Sequence, residues 1–152
     1  MPLGLTVASD FIYQAYVSDD KMKTFFHGHS YTANPVACSA ANASLDLFDG
    51  EEVKKQIDSI SKAHLTFAKK ITGHQALRDV RVLGTILAME LNTAQQTEYL
   101  NPAAEKISEW FLAKGIILRP LGNIFYVLPP YCISMEDLEY LYSQIENFLK
   151  EC

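Results

Sequence analysis

Between Glu51 and Ile71 the apolar residues recur every three or four positions. Val53, Ile57, Ile60, Phe67, Ala68 and Ile71 share one series with His64, and lysines fill the opposite side. That is the 3.6-residue period of a helix with one apolar face. Glu51 and Glu52 stand at the end where a helix is electropositive, and Lys69 and Lys70 where it is electronegative. Gly73 follows as a stop. Most of such a helix's stability comes from packing its stripe, so the rest of the chain must offer an apolar layer to cover it.

The remaining pattern supplies that layer. Asn34-Pro35 is a strong helix start, with a capping side chain followed by a residue suited to the first helical position. The helix runs to Phe48 and ends at Asp49-Gly50. Val80–Leu91 (VRVLGTILAMEL) reads as one strand with Gly84 marking a bulge or close approach. Asn101-Pro102 starts another helix, stopped by Gly115. Ile116–Arg119 and Ile124–Leu128 read as two strands of a hairpin around Leu121-Gly122-Asn123. Ser134, with Asp137 three residues on, caps a last helix that buries Leu138, Leu141, Tyr142, Ile145 and Leu149. The order predicts an α+β fold, a small antiparallel sheet covered on one face by helices. A short strand at Leu3–Ala8 and a short helix from Ser9 or Asp10 to Val17 have no partners in that plan. Residues 1–33 therefore read as the tail of another domain, and 34–152 as one domain.

Bulk composition excludes several functions. A chain of 152 residues, half apolar and a fifth charged, can bury a core. The net charge is −5 and no basic patch or stripe appears, which gives no support for nucleic-acid binding. The three cysteines form no CxxC pair, so neither a disulfide framework nor a zinc ribbon is expected, and reduced thiols in a cytoplasmic protein are. The most apolar window, IILRPLGNIFYVLPPYCI, holds an arginine, an asparagine and three prolines, and a membrane span tolerates no such breaks over its roughly 20 residues. The N-terminus MPLGLTVASD lacks the basic region and apolar run of a signal peptide.

Chemistry concentrates in HGHSYTANP, residues 27–35. His27 and His29 are spaced to point one way from extended backbone, but no third ligand lies at a zinc-binding spacing. Gly28, Ser30 and Thr32 precede a helix N-terminus, where hydroxyls and free N–H groups can cradle an anion such as phosphate. Equally, the two hydroxyls can serve only to close the turn. Arg119 allows two readings as well. It is a carboxylate clamp, or an edge-strand arginine paired with a local glutamate. Tyr126 and Tyr131 fit core aromatics with a wet hydroxyl. No nucleophile–base pair can be argued by spacing, and Cys38 has nothing beside it to activate it.

FFHGHSYTANPVACSAANASLDLF, together with RPLGNIFYVLPPY, resembles the C-terminal part of class III pyridoxal-phosphate aminotransferases. MPLGLTVAS resembles the piece that follows the family's cofactor-carrying lysine, so the likeness covers essentially the whole chain. It is nearest the members that move an amino group from S-adenosylmethionine to 8-amino-7-oxononanoate in biotin synthesis. Members acting on ornithine, acetylornithine or 4-aminobutyrate are the alternatives, and the RPLG and PPY segments speak against them. The resemblance implies the small domain of a fold-type I transferase, preceded by a remnant of its large domain. Ser30 takes the place of the family's usual threonine, which binds the cofactor phosphate across a dimer interface. His29 belongs to the same cofactor-binding loop. Gly28 lets the substrate approach the backbone, Arg119 matches the arginine that holds the substrate carboxylate, and Tyr126 matches a tyrosine lining that pocket. The lysine, the ring-stacking aromatic and the aspartate at the pyridine nitrogen all match positions ahead of Met1, and Lys21 and Lys23 do not fit the lysine's motif. The resemblance thus implies pyridoxal phosphate in the complete enzyme, with no catalytic residue and no retained cofactor in this chain alone. It implies a homo-oligomer, and apolar surface left bare along residues 1–33 and on the inner face of the sheet. A non-catalytic dimerising or partner-binding domain is the alternative.

Overall fold

The computed structural model describes residues 3–94 and 97–152. They pack as two compact units, 1–50 and 51–152. The division falls after the helix that Asn34-Pro35 begins, whereas the sequence pattern sets its boundary ahead of that helix.

The second unit is the α+β layer. Its sheet has three strands, β1 (Leu77–Leu83), β2 (Ile86–Leu91) and β3 (Ile124–Val127), antiparallel and in that order. Three helices accompany it, α3 (Glu51–Ile71), α4 (Ala103–Leu112) and α5 (Met135–Lys150). Met89 pairs with both Val80 and Phe125, and Leu87 with Val82 and Val127, so one sheet face is apolar. The stripes of α3 and α5 complete the core: Ile60, Phe67 and Ile71 from one, Leu138, Ile145 and Phe148 from the other. Phe111, Phe125 and Phe148 meet with ring centroids 5.3–5.9 Å apart, the tilted spacing aromatic rings favour. Ser134 Oγ accepts the Asp137 N–H at 3.0 Å and donates to its carboxylate at 2.6 Å, as the capping pattern foretells.

Two strand expectations need correction. Val80–Leu91 is not one strand. Gly84, at φ +55°, and Thr85 turn the chain back so that Leu83 pairs with Ile86. The bulge lies instead at Arg78, between the Leu77–Leu91 and Asp79–Glu90 pairs. That extra residue lets Leu77 and Val80 both pack against the core despite their odd spacing. Nor do residues 116–119 form a strand. Gly115, at φ +75°, closes α4: its N–H bonds the Leu112 carbonyl, and the Ile116 N–H bonds that of Phe111. This is the Schellman ending, and it consumes the donor that a strand would have needed. Pro120 has no N–H to give. Only β3 survives of that hairpin, and it pairs with β2.

The first unit holds α1 (Asp10–Gln14), a 3-10 turn at Lys21–Lys23, and α2 (Pro35–Phe48). Residues 3–8 form no strand, and α1 stops short of Val17. Among the unit's described residues only Ala37 is buried. Leu5, Val7, Phe11, Met22 and Phe26 are each more than four-fifths exposed. The unit has apolar side chains without a core of its own.

Candidate functional site

In the first unit, extended backbone from Phe25 leads into a turn at residues 30–33. Alternation places Phe25, His27, His29 and Tyr31 in one row, with neighbouring ring centroids 5.6, 6.3 and 6.4 Å apart. His27, His29, Tyr31 and Thr32 line a cleft of about 840 Å³ together with Leu3 and Gly4. The turn is closed by hydrogen bonds in both directions between His29 and Thr32: the Thr32 N–H donates to the His29 carbonyl at 3.1 Å, and the His29 N–H to Thr32 Oγ1 at 3.4 Å. The Tyr31 N–H donates to His29 Nδ1 at 3.1 Å. Nδ1 must then be the bare nitrogen, which leaves the proton of a neutral ring on Nε2 as an outward donor.

Asn34 settles how the helix behind this turn is used. Its Oδ1 accepts from the Val36 and Ala37 N–H groups at 3.0 and 3.1 Å, and Pro35 has none. The helix end is therefore already capped, and any anion must be held by the turn itself. Thr32 is likewise spent on the turn. Among the described residues the Ser30 hydroxyl and the N–H groups of Gly28 and Ser30 have no partner. A side chain at Gly28 would meet nothing within 4 Å, so packing inside this chain does not ask for glycine there. Ala33 sits at φ +55°, a left-handed conformation uncommon outside glycine and asparagine. These residues fit one edge of a phosphate site, offering a hydroxyl, backbone N–H groups and an imidazole N–H. Among the described residues no three His, Cys, Asp or Glu side chains gather as a metal would need, so His27 and His29 remain a pair.

The second unit carries the other two candidates. Tyr126 lies in β3 between buried Phe125 and Val127, so it belongs to the sheet face away from the core, opposite Ala88. Arg119 is exposed, stands in no strand, and makes no ion pair or hydrogen bond among the described residues. The local glutamate that the edge-strand reading requires is absent: Glu90, the buried carboxylate of the sheet, is taken by Arg78 at 3.3 Å and Arg81 at 3.8 Å. Gly28, His29 and Ser30 thus gather in one unit, and Arg119 and Tyr126 in the other. Asn123 and Thr97 bind the Arg119 turn to the end of β2; the Gly122-Asn123 pair signals that turn in the sequence, whereas Thr97 carries no sequence signal.

The crystal structure of adenosylmethionine-8-amino-7-oxononanoate aminotransferase from Methanocaldococcus jannaschii superposes with a TM-score of 0.81 at 31% identity, covering 95% of this chain and 34% of that one. The sequence matches the class III aminotransferase family over residues 1–149, and the chain belongs to that family. Curated relatives carry the same name. The protein of Synechococcus elongatus is 39% identical over 152 residues, covering 99% of this chain and 35% of its own. That of Helicobacter pylori is 35% identical, covering 99% and 35%. The chain spans about a third of the length of these relatives. The family is pyridoxal-phosphate dependent. Among the described residues no helix is long and apolar enough to cross a membrane.

Proposed function

We propose that this chain is the C-terminal part of an aminotransferase of biotin synthesis, which moves an amino group from S-adenosylmethionine to 8-amino-7-oxononanoate. Residues 1–33 are a remnant of the cofactor-binding large domain, and the small domain follows from residue 34. The complete enzyme is a cytoplasmic homodimer. The observation that carries this reading is the likeness to relatives of that name over 99% of this chain; the large apolar side chains that stand exposed from Leu3 to Tyr31 fit a part of a larger domain.

Pyridoxal phosphate, when bound, supplies the electron sink that lets an amino-bearing carbon release its proton. The residues here bind and orient. The Ser30 hydroxyl and the His29 Nε2–H donate to phosphate oxygens, and Gly28 leaves the substrate room beside the backbone. Arg119 grips the substrate carboxylate with two parallel N–H donors, which fixes its orientation as well as its affinity. Tyr126 walls the pocket beside it. No residue of this chain takes the role of the cofactor-carrying lysine, so the chain alone does not transaminate.

The test is reassembly. The chain is mixed with a separately made polypeptide spanning the remaining two thirds of the Synechococcus relative, with pyridoxal phosphate and both substrates. Formation of 7,8-diaminononanoate by the mixture, and by neither part alone, supports the reading. Turnover by this chain alone overturns it. The same exposed surface favours one further reading, a non-catalytic domain that associates with itself. Inactive mixtures combined with a stable dimer in light scattering would select it.

A further inference from the structure

Arg119 enters a turn that is held from behind by buried polar groups. The Leu121 N–H donates to the Ile124 carbonyl at 2.7 Å and the Ile124 N–H returns to Leu121 at 3.2 Å, closing a two-residue turn of Gly122 and Asn123. Asn123 is fully buried. Its carbonyl accepts the Leu91 N–H at 2.9 Å, and its Nδ2 donates to the Leu91 carbonyl at 2.9 Å, so the turn is clamped twice to the end of β2. The second Nδ2 proton goes to Thr97 Oγ1 at 3.3 Å.

Thr97 is the node. Its hydroxyl donates to Glu90 Oε1 at 2.6 Å and accepts from Arg78 Nη1 at 2.8 Å as well as from Asn123. One hydroxyl has one proton and two lone pairs, and all three are used. Glu90, with only a tenth of its side chain exposed, is fixed in turn by Arg78 and Arg81. The segment behind the turn also presses on it: a Cβ at Gly122 would lie 1.8 Å from the Glu98 carbonyl oxygen. Arg119 itself has no side-chain partner among the described residues, so its placement depends on the backbone that leads through Pro120 into this turn.

We propose that Thr97 is a positioning residue for Arg119: acting through Asn123, it fixes the turn that presents the guanidinium to a carboxylate. The proposal rests on the reading of Arg119 as the carboxylate clamp. A fork that must meet two oxygens at once loses affinity when its backbone wanders, whereas its chemistry is unchanged.

The experiment titrates the 152-residue chain with hexanoate and follows the Arg119 Nε–H signal by NMR, alongside hydrogen exchange of the Ile124 amide. Thr97→Val removes the hydroxyl at nearly constant shape, and Thr97→Ser restores it. Thr97→Val weakens hexanoate binding about tenfold, the scale of one lost hydrogen bond, and speeds Ile124 exchange, while Thr97→Ser stays near the parent. Parent-like binding in Thr97→Val overturns the proposal. If the parent binds no hexanoate while Thr97→Val still loosens Ile124, the clamp reading fails and the anchoring stands. No binding and no loosening overturns both.

Discussion

Tyr142 donates its hydroxyl proton to His64 Nδ1 across 2.6 Å, joining α5 to α3 inside the core. The direction follows from the other ring nitrogen. His64 Nε2 lies 3.1 Å from the Thr85 carbonyl, which can only accept, so Nε2 carries the proton and Nδ1 is bare. One imidazole thereby ties two helices to the β1–β2 turn. Tyr142 also stacks on Phe67, with centroids 4.2 Å apart. Tyr142→Phe keeps the stack and leaves a buried acceptor unpaired. It lowers the unfolding free energy of the second unit by about 1–3 kcal/mol, read from urea denaturation.

The same ring makes stability depend on pH. Burial disfavours the charged imidazole and holds the His64 pKa below its usual 6.5, outweighing the Thr85 carbonyl that favours it. The unfolded chain therefore binds a proton at His64 before the folded one does. Stability is full above pH 6.5 and falls as pH drops from 6.5 toward the folded value. His64→Gln, which cannot charge, flattens this part of the profile in thermal melts at pH 5–7, about the window in which His titrates. An unchanged slope in His64→Gln would remove the ring as the cause.

Gly122 is required twice over. Its φ is +64°, and an added Cβ collides with the Glu98 carbonyl. Gly122→Ala costs about 2 kcal/mol or more, since strain and overlap add. The urea midpoint falls, and Ile124 loses amide protection. Gly84→Ala, with φ +55° and open space around the new methyl, costs less.

Under the proposed reading, the chain reassembled with a polypeptide spanning the rest of the Synechococcus relative should separate cofactor from substrate contacts. Ser30→Ala weakens pyridoxal phosphate binding about tenfold, the worth of one hydrogen bond to a charged oxygen, in a fluorescence titration. Arg119→Lys leaves that titration unchanged and raises KM for 8-amino-7-oxononanoate, because a lysine cannot make the two-pronged contact. Unaltered cofactor affinity in Ser30→Ala would remove the hydroxyl from the phosphate site.

Local signals were legible wherever they determine local structure. The start of α2 followed from Asn34-Pro35, the length of α3 from its apolar period and end charges, and the start of α5 from Ser134 and Asp137. Each depends on groups within four residues of one another, so the sequence alone contains the whole interaction. The aminotransferase resemblance was legible for a related reason: HGHSYTANP and RPLGN each hold their motif in one continuous stretch.

Strands and buried polar groups were decided by tertiary structure. A strand requires a partner's backbone, and β2 offers two edges, which β1 and β3 fill. The β-branched run 80–91 could not reveal that it folds back on itself at Gly84, nor could 116–119 reveal that helix α4 had already taken its donor. His64 looked like one more member of an apolar stripe. Its polarity is absorbed by a tyrosine 78 residues away and a carbonyl 21 away. Thr97 carried no signal at all, because a hydroxyl becomes a node only when the fold brings Arg78, Glu90 and Asn123 to it. Sequence by itself determined which segments are helical and which family they belong to. Only the fold, by satisfying donors and acceptors far apart in the chain, decided which residues hold Arg119 in place.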